Sequence, residues 1–572
     1  MKYTFKNVMI LGLGCLLGFT SCSDSWLNTD STQTAEGDVI FSTTDNAKLV
    51  INGICRTMVQ QHAYYGQNFN GEGTMKLLYG EYPGQDFNFP YMAPGWSPLM
   101  NNQSTITQSS SSIYDSYPWY YYYLIIGNAN AVINRIDKAE GSQEEKDFLK
   151  AEALTFRAYS FFRLAELYCE PWARSNDGAT DGVVLRIKEV AEAGEETDLK
   201  LSTLAETYKQ VYDDLDEALR LYEVSGLTRD DIYWDATSNI SFPDAPVAHA
   251  IYARAALTRQ DYAVAKEHAA LARANFPLMD TNTYYSGFCT PSSEWIWGVY
   301  NDASETIWYY GWQLFMACNG YYAQQNINVC INRDLVESFA DSDIRKGLFL
   351  TESTFLPEDG SKTFLEVVGI ESRNANKFNS TAEGQAASTK ANKYVKETVA
   401  SATSQAYAYA SLKFQATAQP AVGCQPIFRA SEMLLIEAEA NYYLSSDPTA
   451  AQNSLVELNK DSGRDPQYTC TVTGEDLLKE IKKYRRLELW GEGFSWYDCK
   501  RWGDPVVRNS FKEGGNYSSY ISGTFGFKDG NYVSEFWKWI PVVNHRAPPD
   551  ATKRKADVPA HTFRSFGLAH PP

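Results

Sequence analysis

Residues 481–503 read IKKYRRLELWGEGFSWYDCKRWG. Within them Arg485, Arg486, Glu488, Glu492, Asp498 and Arg501 alternate in sign within reach of one another. Side chains three or four residues apart on a helix are neighbours, and arginine grips a carboxylate through two parallel hydrogen bonds. A set arranged this way reads as a partly buried ionic network that holds the fold, and not as a ligand site.

Outward from this stretch, helical periodicity dominates two separated blocks. In residues 120–136, 146–167 and 204–222 apolar residues return every three or four positions while charges fill the other face, the pattern of amphipathic helices packed on one another. Residues 248–257 end at Thr258-Arg259-Gln260-Asp261, and Tyr262 opens a partner helix in which Ala269, Ala270 and Ala272 allow close approach. Residues 431–444, the link 445–448 and residues 449–458 repeat the arrangement. Both read as tetratricopeptide-like helix pairs, which are stabilised by stacking on neighbours; a plain all-helical domain without true repeats would look similar. The fold class is therefore mostly α, with a helical scaffold over 44–275 and 426–505.

Between the blocks, residues 276–425 lose the period and are rich in Gly, Ser, Thr, Asn and aromatics. They hold Trp295 and Trp297, then Trp308, Tyr309, Tyr310 and Trp312, then Tyr321 and Tyr322. A similar patch at 65–112 contains Tyr82, Tyr91 and Trp96. Binding residues concentrate on loops carried by a rigid scaffold. The chain has 38 Tyr and 14 Trp, more than its core requires, and such residues serve recognition surfaces as well as helix packing.

At the other end, Lys2 and Lys6 precede an apolar run, residues 8–19, that stops at Thr20-Ser21-Cys22. The run is shorter than the ~20 residues a bilayer-spanning helix needs and suits the middle of a secretory signal. Small residues before Cys22 and polar ones after it resemble the lipobox of bacterial lipoproteins, although Phe19 stands where an aliphatic residue is usual. The expected organisation is a signal peptide over 1–21, lipidation at Cys22 and a tether over 22–43. An ordinary signal that happens to contain Cys22 is the alternative.

Hydrophobic content of 44% with 21% charged residues is globular and sufficient for a large core. The net charge of −19 repels nucleic acid and anionic lipid surfaces. No C-x-x-C is present, and Cys318 and Cys330 read as buried thiols that could also bridge in an exported protein. The six histidines, His62, His249, His268, His545, His561 and His570, show no metal-ligand spacing. Phosphate loops, nucleophile elbows and H-E-x-x-H are absent, so no cofactor, metal or catalytic residue is nominated. A glycoside hydrolase would need two carboxylates facing across a cleft, and nothing singles out a pair.

Residues 481–503 resemble the signature of the SusD/RagB family, outer-membrane lipoproteins that capture nutrients in Bacteroidetes, with Tyr484 where an acidic residue is usual. Phe428-Arg429-x-x-Glu432 through Ala440, Ala151-Glu152-Ala153 through Tyr168 with Pro171, and Phe339 to Asp343 with Arg345 agree with it in order. The resemblance covers residues 1 to about 541, the SusD-like domain being drawn as 44–544. It implies a tetratricopeptide-containing helical fold, no catalysis, surface exposure on the outer membrane, and partnership with a SusC-like TonB-dependent transporter. It also implies a glycan ligand on exposed aromatics of the irregular regions, or, as in the RagB branch, peptide or another nutrient. The ligand-binding candidates are Trp96, Trp308, Tyr310, Trp312, Tyr321 and Tyr322, with Asn319 and Gln324 as polar neighbours; the alternative for each is the core. Residues 545–572 carry five Lys or Arg, two Asp and five Pro, depart from the family's ending, and read as a disordered basic tail.

Overall fold

The computed structural model describes residues 40–64, 67–88, 112–188, 200–233, 235, 237–303, 311–321, 329–356, 359–361, 382–398, 408–517, 521–528 and 531–532. Its longer helices are α1 (Thr44–Val59), α2 (Ile113–Arg135), α3 (Gln143–Tyr168), α4 (Leu204–Ser225), α5 (Ala245–Thr258), α6 (Tyr262–Arg273), α7 (Ala382–Thr398), α8 (Ala430–Leu444), α9 (Thr449–Val456), α10 (Gly474–Glu488) and α11 (Ser495–Trp502). From α2 to α6 each packs on the next, α6 packs on α8, and α8 packs on α9 and α10. The two helix pairs read from the sequence, α5 with α6 and α8 with α9, thus stack although the first ends at Arg273 and the second begins only at Ala430. Ala265, Ala269 and Ala272 line the buried face of α6, whereas Ala270 faces solvent.

Local chemistry sets the helix ends. Thr203 and Glu206 form a reciprocal capping box at the start of α4, each accepting from the other's backbone N–H. Gly226, at φ 65°, ends it in a conformation that disfavours any residue with a Cβ.

Helix α3 departs from the amphipathic reading. Its residues 151–168 are all buried, charges included, because α1, α2, α4 and α5 surround it. Burial of ions is tolerable only when they are paired. Arg157 clasps Asp214 of α4 through Nε at 2.8 Å and Nη2 at 2.6 Å, Arg163 pairs with Glu166, and Glu152 accepts from the Tyr233 hydroxyl at 2.7 Å. Between α2 and α3, Glu72 accepts from the hydroxyls of Tyr121, Tyr122 and Tyr159 at 3.1, 3.3 and 2.8 Å. Much of the tyrosine excess is therefore core, and no tryptophan among the described residues is exposed.

The strands are short and paired in twos: β1 (Gln61–Tyr64) with β2 (Gln67–Asn70), β3 (Phe87–Asn88) with β5 (Cys330–Ile331), β4 (Trp295–Val299) with β6 (Gln425–Arg429), and β7 (Val506–Arg508) with β8 (Gly523–Phe525), all antiparallel. Strand β4 lies within the stretch read as irregular, yet Trp295 and Trp297 are buried. The Trp297 indole donates to the Ser241 carbonyl at 2.9 Å. A strand buried on both faces has no alternation to betray it.

The charges of residues 481–503 close an ionic centre where β4, β6 and α10 meet. Glu488 accepts from Arg345 at 2.9 Å, Arg429 at 3.0 Å and Arg464 at 3.1 Å. Glu294 accepts from Arg429 at 2.5 Å and Arg464 at 2.8 Å, and Glu492 from Arg429 and Lys413, both at 2.8 Å. Asp343 pairs with Arg345 at 2.6 Å. Four cations thus face four carboxylates, all buried. Burial alone would raise the Glu488 pKa, but Arg464, Arg429 and Arg345 outweigh it and hold the carboxyl well below the usual range. A second chain runs from Arg485 to Asp498 at 2.7 Å, on to Arg501 at 2.8 Å and to Glu439 at 2.6 Å. Tyr484 packs edge-on to Tyr468 with its ring near the Arg345 guanidinium. The network is fully buried at its centre, where the sequence reading expected partial burial.

Candidate ligand-binding region

The described residues that precede segment 89–111 and follow segments 322–328 and 399–407 lie on one small sheet. Segment 89–111 follows Asn88 of β3, 322–328 ends one residue before β5, and 399–407 ends just before residues 408–412. Asn88 pairs with Cys330, and Cys330 bridges to Ala410. The Ile331 N–H donates to the Tyr409 carbonyl at 3.0 Å and the Ser411 N–H to the Val329 carbonyl at 3.0 Å. On the far side, the Tyr409 N–H donates to the Leu350 carbonyl at 2.7 Å and the Leu350 N–H to the Ala410 carbonyl at 3.1 Å. Residues 87–88, 330–331, 409–411 and 349–350 therefore lie side by side.

Side chains brace this sheet from beneath. The Asn516 amide donates to the Ile331 carbonyl at 2.8 Å, and the Asn88 amide to the Asn516 carbonyl at 2.7 Å. The Tyr517 hydroxyl spans the Gln85 and Phe87 carbonyls at 2.8 Å each. From residues 481–503, Arg486 grips Asp86 through Nε at 3.1 Å and Nη2 at 2.5 Å, and the Trp490 indole donates to the Asp86 carbonyl at 2.7 Å. The charged stretch thus anchors the sheet without reaching its edge. Its glycines are required by the same packing: at Gly491, φ 79°, a Cβ would sit 2.5 Å from the Phe414 ring, and at Gly493, φ 95°, 2.9 Å from Lys76.

Beside the sheet lie two buried groups with displaced pKa values. Glu81 accepts from the Gly493 N–H at 2.6 Å and from Phe494 at 3.3 Å. Burial without a cationic partner in contact pushes its carboxyl up to about 8. Lys76 donates to the Pro426 carbonyl and lies 5.3 Å from the Trp312 ring centroid. Burial pushes it down to about 7.

Of the ligand-binding candidates, Trp96, Trp308, Tyr310 and Tyr322 lie outside the described residues, as do Cys22 and Gln324. Trp312 does not face a ligand surface. It is fully buried, its indole donates to the Gly491 carbonyl at 2.7 Å, and its ring meets Phe414 edge-on at 4.6 Å. Residues 307–312 hold four aromatics in six positions, but the one that closes the run turns inward, where the Gly491 carbonyl takes its indole N–H and Phe414 takes its ring. Tyr321 is half-buried at the foot of segment 322–328 and donates its N–H to the Pro420 carbonyl at 2.9 Å. Asn319 spends its amide within the fold, donating to the Ala416 carbonyl at 2.9 Å and accepting from the Ala416 N–H at 2.7 Å. Cys318 and Cys330 are both buried. The residues that join the segments, Asn88, Cys330 and Ala410, carried no local signal.

A family model described as "SusD family" matches residues 293–546, and one described as "Starch-binding associating with outer membrane" matches 84–226. The chain belongs to the SusD/RagB family. Its SusD-like fold is shared with a SusD-like carbohydrate binding protein from Bacteroides vulgatus ATCC 8482 (TM-score 0.64, 23% identity, 87% of this chain and 95% of that one). It is also shared with SusD superfamily proteins from Bacteroides thetaiotaomicron VPI-5482 (0.61, 23%, 84% and 92%) and Bacteroides fragilis (0.60, 18%, 88% and 97%). At these identities the likeness is one of fold. No curated protein matches the sequence. Among the described residues no helix of this SusD-family chain is long and apolar enough to cross a membrane.

Proposed function

We propose that the protein is a cell-surface glycan-binding lipoprotein that captures oligo- or polysaccharide and passes it to a SusC-like TonB-dependent transporter of the outer membrane. The observation that carries this reading is the match to the SusD family together with the shared SusD-like fold; Trp96 and Tyr322 belong to segments that adjoin the braced sheet at Asn88, Cys330 and Ala410 in sequence. Sugar rings present apolar C–H faces that lie on Trp and Tyr and polar rims that hydrogen-bond to amides and carboxylates. A shallow site of two or three aromatics holds a glycan loosely enough to release it, which suits delivery.

The candidate contacts are Trp96, Trp308, Tyr310, Tyr321 and Tyr322; Trp312 belongs to the core. Lipidation at Cys22 with more than one acyl chain gives stable anchoring, where a single chain would be marginal. Tethering beside a transporter raises the effective concentration of each partner for the other, so a modest contact affinity suffices for a lasting complex. The family's binding role and the absence of a nominated carboxylate pair favour a binder without catalysis. Native gels containing a panel of polysaccharides test the reading, with a reducing-end assay alongside. Retardation by at least one glycan without new reducing ends is expected. No retardation across the panel, together with binding of peptide in the same format, would reassign the cargo; new reducing ends would make the protein an enzyme.

A further inference from the structure

His249 and His268 are nineteen residues apart and carry no local metal-binding pattern, but the α5–α6 hairpin brings their rings together. Nδ1 of His249 lies 2.9 Å from Nδ1 of His268, with ring centroids 5.0 Å apart and planes inclined by 47°. The facing ring of Tyr252 stacks on His268 at 3.9 Å and 16°, which fixes that imidazole's orientation. The Tyr252 hydroxyl is in turn hydrogen-bonded to Asp216 of α4. Both histidines are half-buried. Burial holds both imidazoles at about 4, with mutual repulsion adding to it at His249, so both rings are uncharged at neutral pH. An uncharged ring has one nitrogen lone pair to offer.

We infer that His249 and His268 form a two-imidazole site for a divalent late transition-metal ion, clamping α5 to α6. Imidazole nitrogens bind such ions at ~2.0–2.1 Å. With bonds of that length, a nitrogen spacing of 2.9 Å subtends about 90° at the ion, the cis angle of tetragonal and octahedral complexes and not the wider tetrahedral one. The spacing therefore selects Cu2+ or Ni2+ over Zn2+, and water fills the remaining positions, since among the described residues no group of three or more His, Cys, Asp or Glu converges. The ion takes the place of the proton shared between the two Nδ1 atoms. That proton moves through solvent to Nε2 of the same ring, so binding releases no net proton. The chain's net charge of −19 raises the local concentration of cations.

Full-length protein freed of metal with EDTA and desalted is titrated with Cu2+ alone by calorimetry, and the one-equivalent complex is examined by electron paramagnetic resonance. One equivalent should bind with two coordinated nitrogens in the spectrum and a raised Tm. Binding should fall at least tenfold in both His249→Asn and His268→Asn, and persist when His545, His561 and His570 are all replaced by Ala. Zn2+ should bind more weakly than Cu2+ or Ni2+. Circular dichroism in EDTA checks that each variant is folded, and the nitrogen count in the unaltered protein stands whether or not the variants fold. Loss of the site only in the tail variant, loss in just one of the two single variants, or a spectrum with fewer than two nitrogens would overturn the pair.

Discussion

Around Glu488 eight buried ionisable side chains face one another, whereas the sheet at Asn88, Cys330 and Ala410 is held mainly by backbone hydrogen bonds, with two asparagine amides and the Tyr517 hydroxyl bonding to its backbone carbonyls. In the first region nearly every side chain is specified by its partners, because an unpaired buried charge costs several kcal/mol. In the second the backbone makes the connections, and backbone pairing tolerates change in the side chains it carries. Asp86 joins the two, held by Arg486 and Trp490 one step before β3.

If the ionic centre is structural, Glu488→Gln should cost ~3–5 kcal/mol, since Arg345, Arg429 and Arg464 would face a neutral amide. Chemical denaturation measures it, and a loss below 1 kcal/mol would break the contrast. The pH dependence follows in sign. Glu488, Glu294, Glu492 and Asp498 are all held below their ordinary values by neighbouring cations that overcome burial. Their contribution is fully present above the unfolded-state value of ~4.5 or lower and disappears as pH falls through the folded-state values. Acid unfolding should therefore begin below about pH 4.5 and be steep.

Trp312→Ala tests which region that residue serves. A core tryptophan leaves a cavity costing ~3–5 kcal/mol, so a lowered melting temperature with unchanged glycan retention is expected. Weakened retention at an unchanged melting temperature would return Trp312 to the ligand surface.

Glu81→Gln sharpens the boundary between the regions. The folded carboxyl titrates at about 8 and the unfolded one near 4.5, so between those values the unfolded chain has lost a proton that the folded chain keeps. Stability falls with rising pH across that window. The substitution removes this slope, since an amide oxygen still accepts from Gly493. Each tenfold fall in proton concentration across the window is worth at most ~1.4 kcal/mol, and relaxation around the buried group takes back part of it. The gain should therefore be absent at pH 4 and reach on the order of 2–3 kcal/mol at pH 8. Urea melts at the two pH values measure it, and equal effects at both would show Glu81 ionised in the folded state.

The smallest stability effect is expected at Trp308→Ala: within ~0.5 kcal/mol of the unaltered protein, as for surface positions. Glycan affinity should nevertheless drop by up to ~2 kcal/mol, roughly thirtyfold, as for a central interface tryptophan. A destabilised variant with unchanged retention would move Trp308 into the scaffold.

Helices α2 to α6 and α8 to α10 were legible in the sequence because helical periodicity is local, and so was the ionic character of residues 481–503, because its charges sit within a few turns of one another. Glu294, Lys413 and Arg464, which help complete the ionic centre, come from elsewhere in the chain and advertise nothing locally. Trp312 and Trp308 look alike as sequence. Only the folded chain, in which the Gly491 carbonyl 179 residues further on accepts from the Trp312 indole, places that ring inward. The meeting of Asn88 with Cys330 and of Cys330 with Ala410, and that of His249 with His268, are likewise tertiary. The sequence determined which segments are helical and which stretch carries the charges, since those follow from short-range periodicity and pairing. Which of the described aromatics are core, which short strands pair and which imidazoles meet depend on contacts between distant residues, and those exist only once the chain has folded.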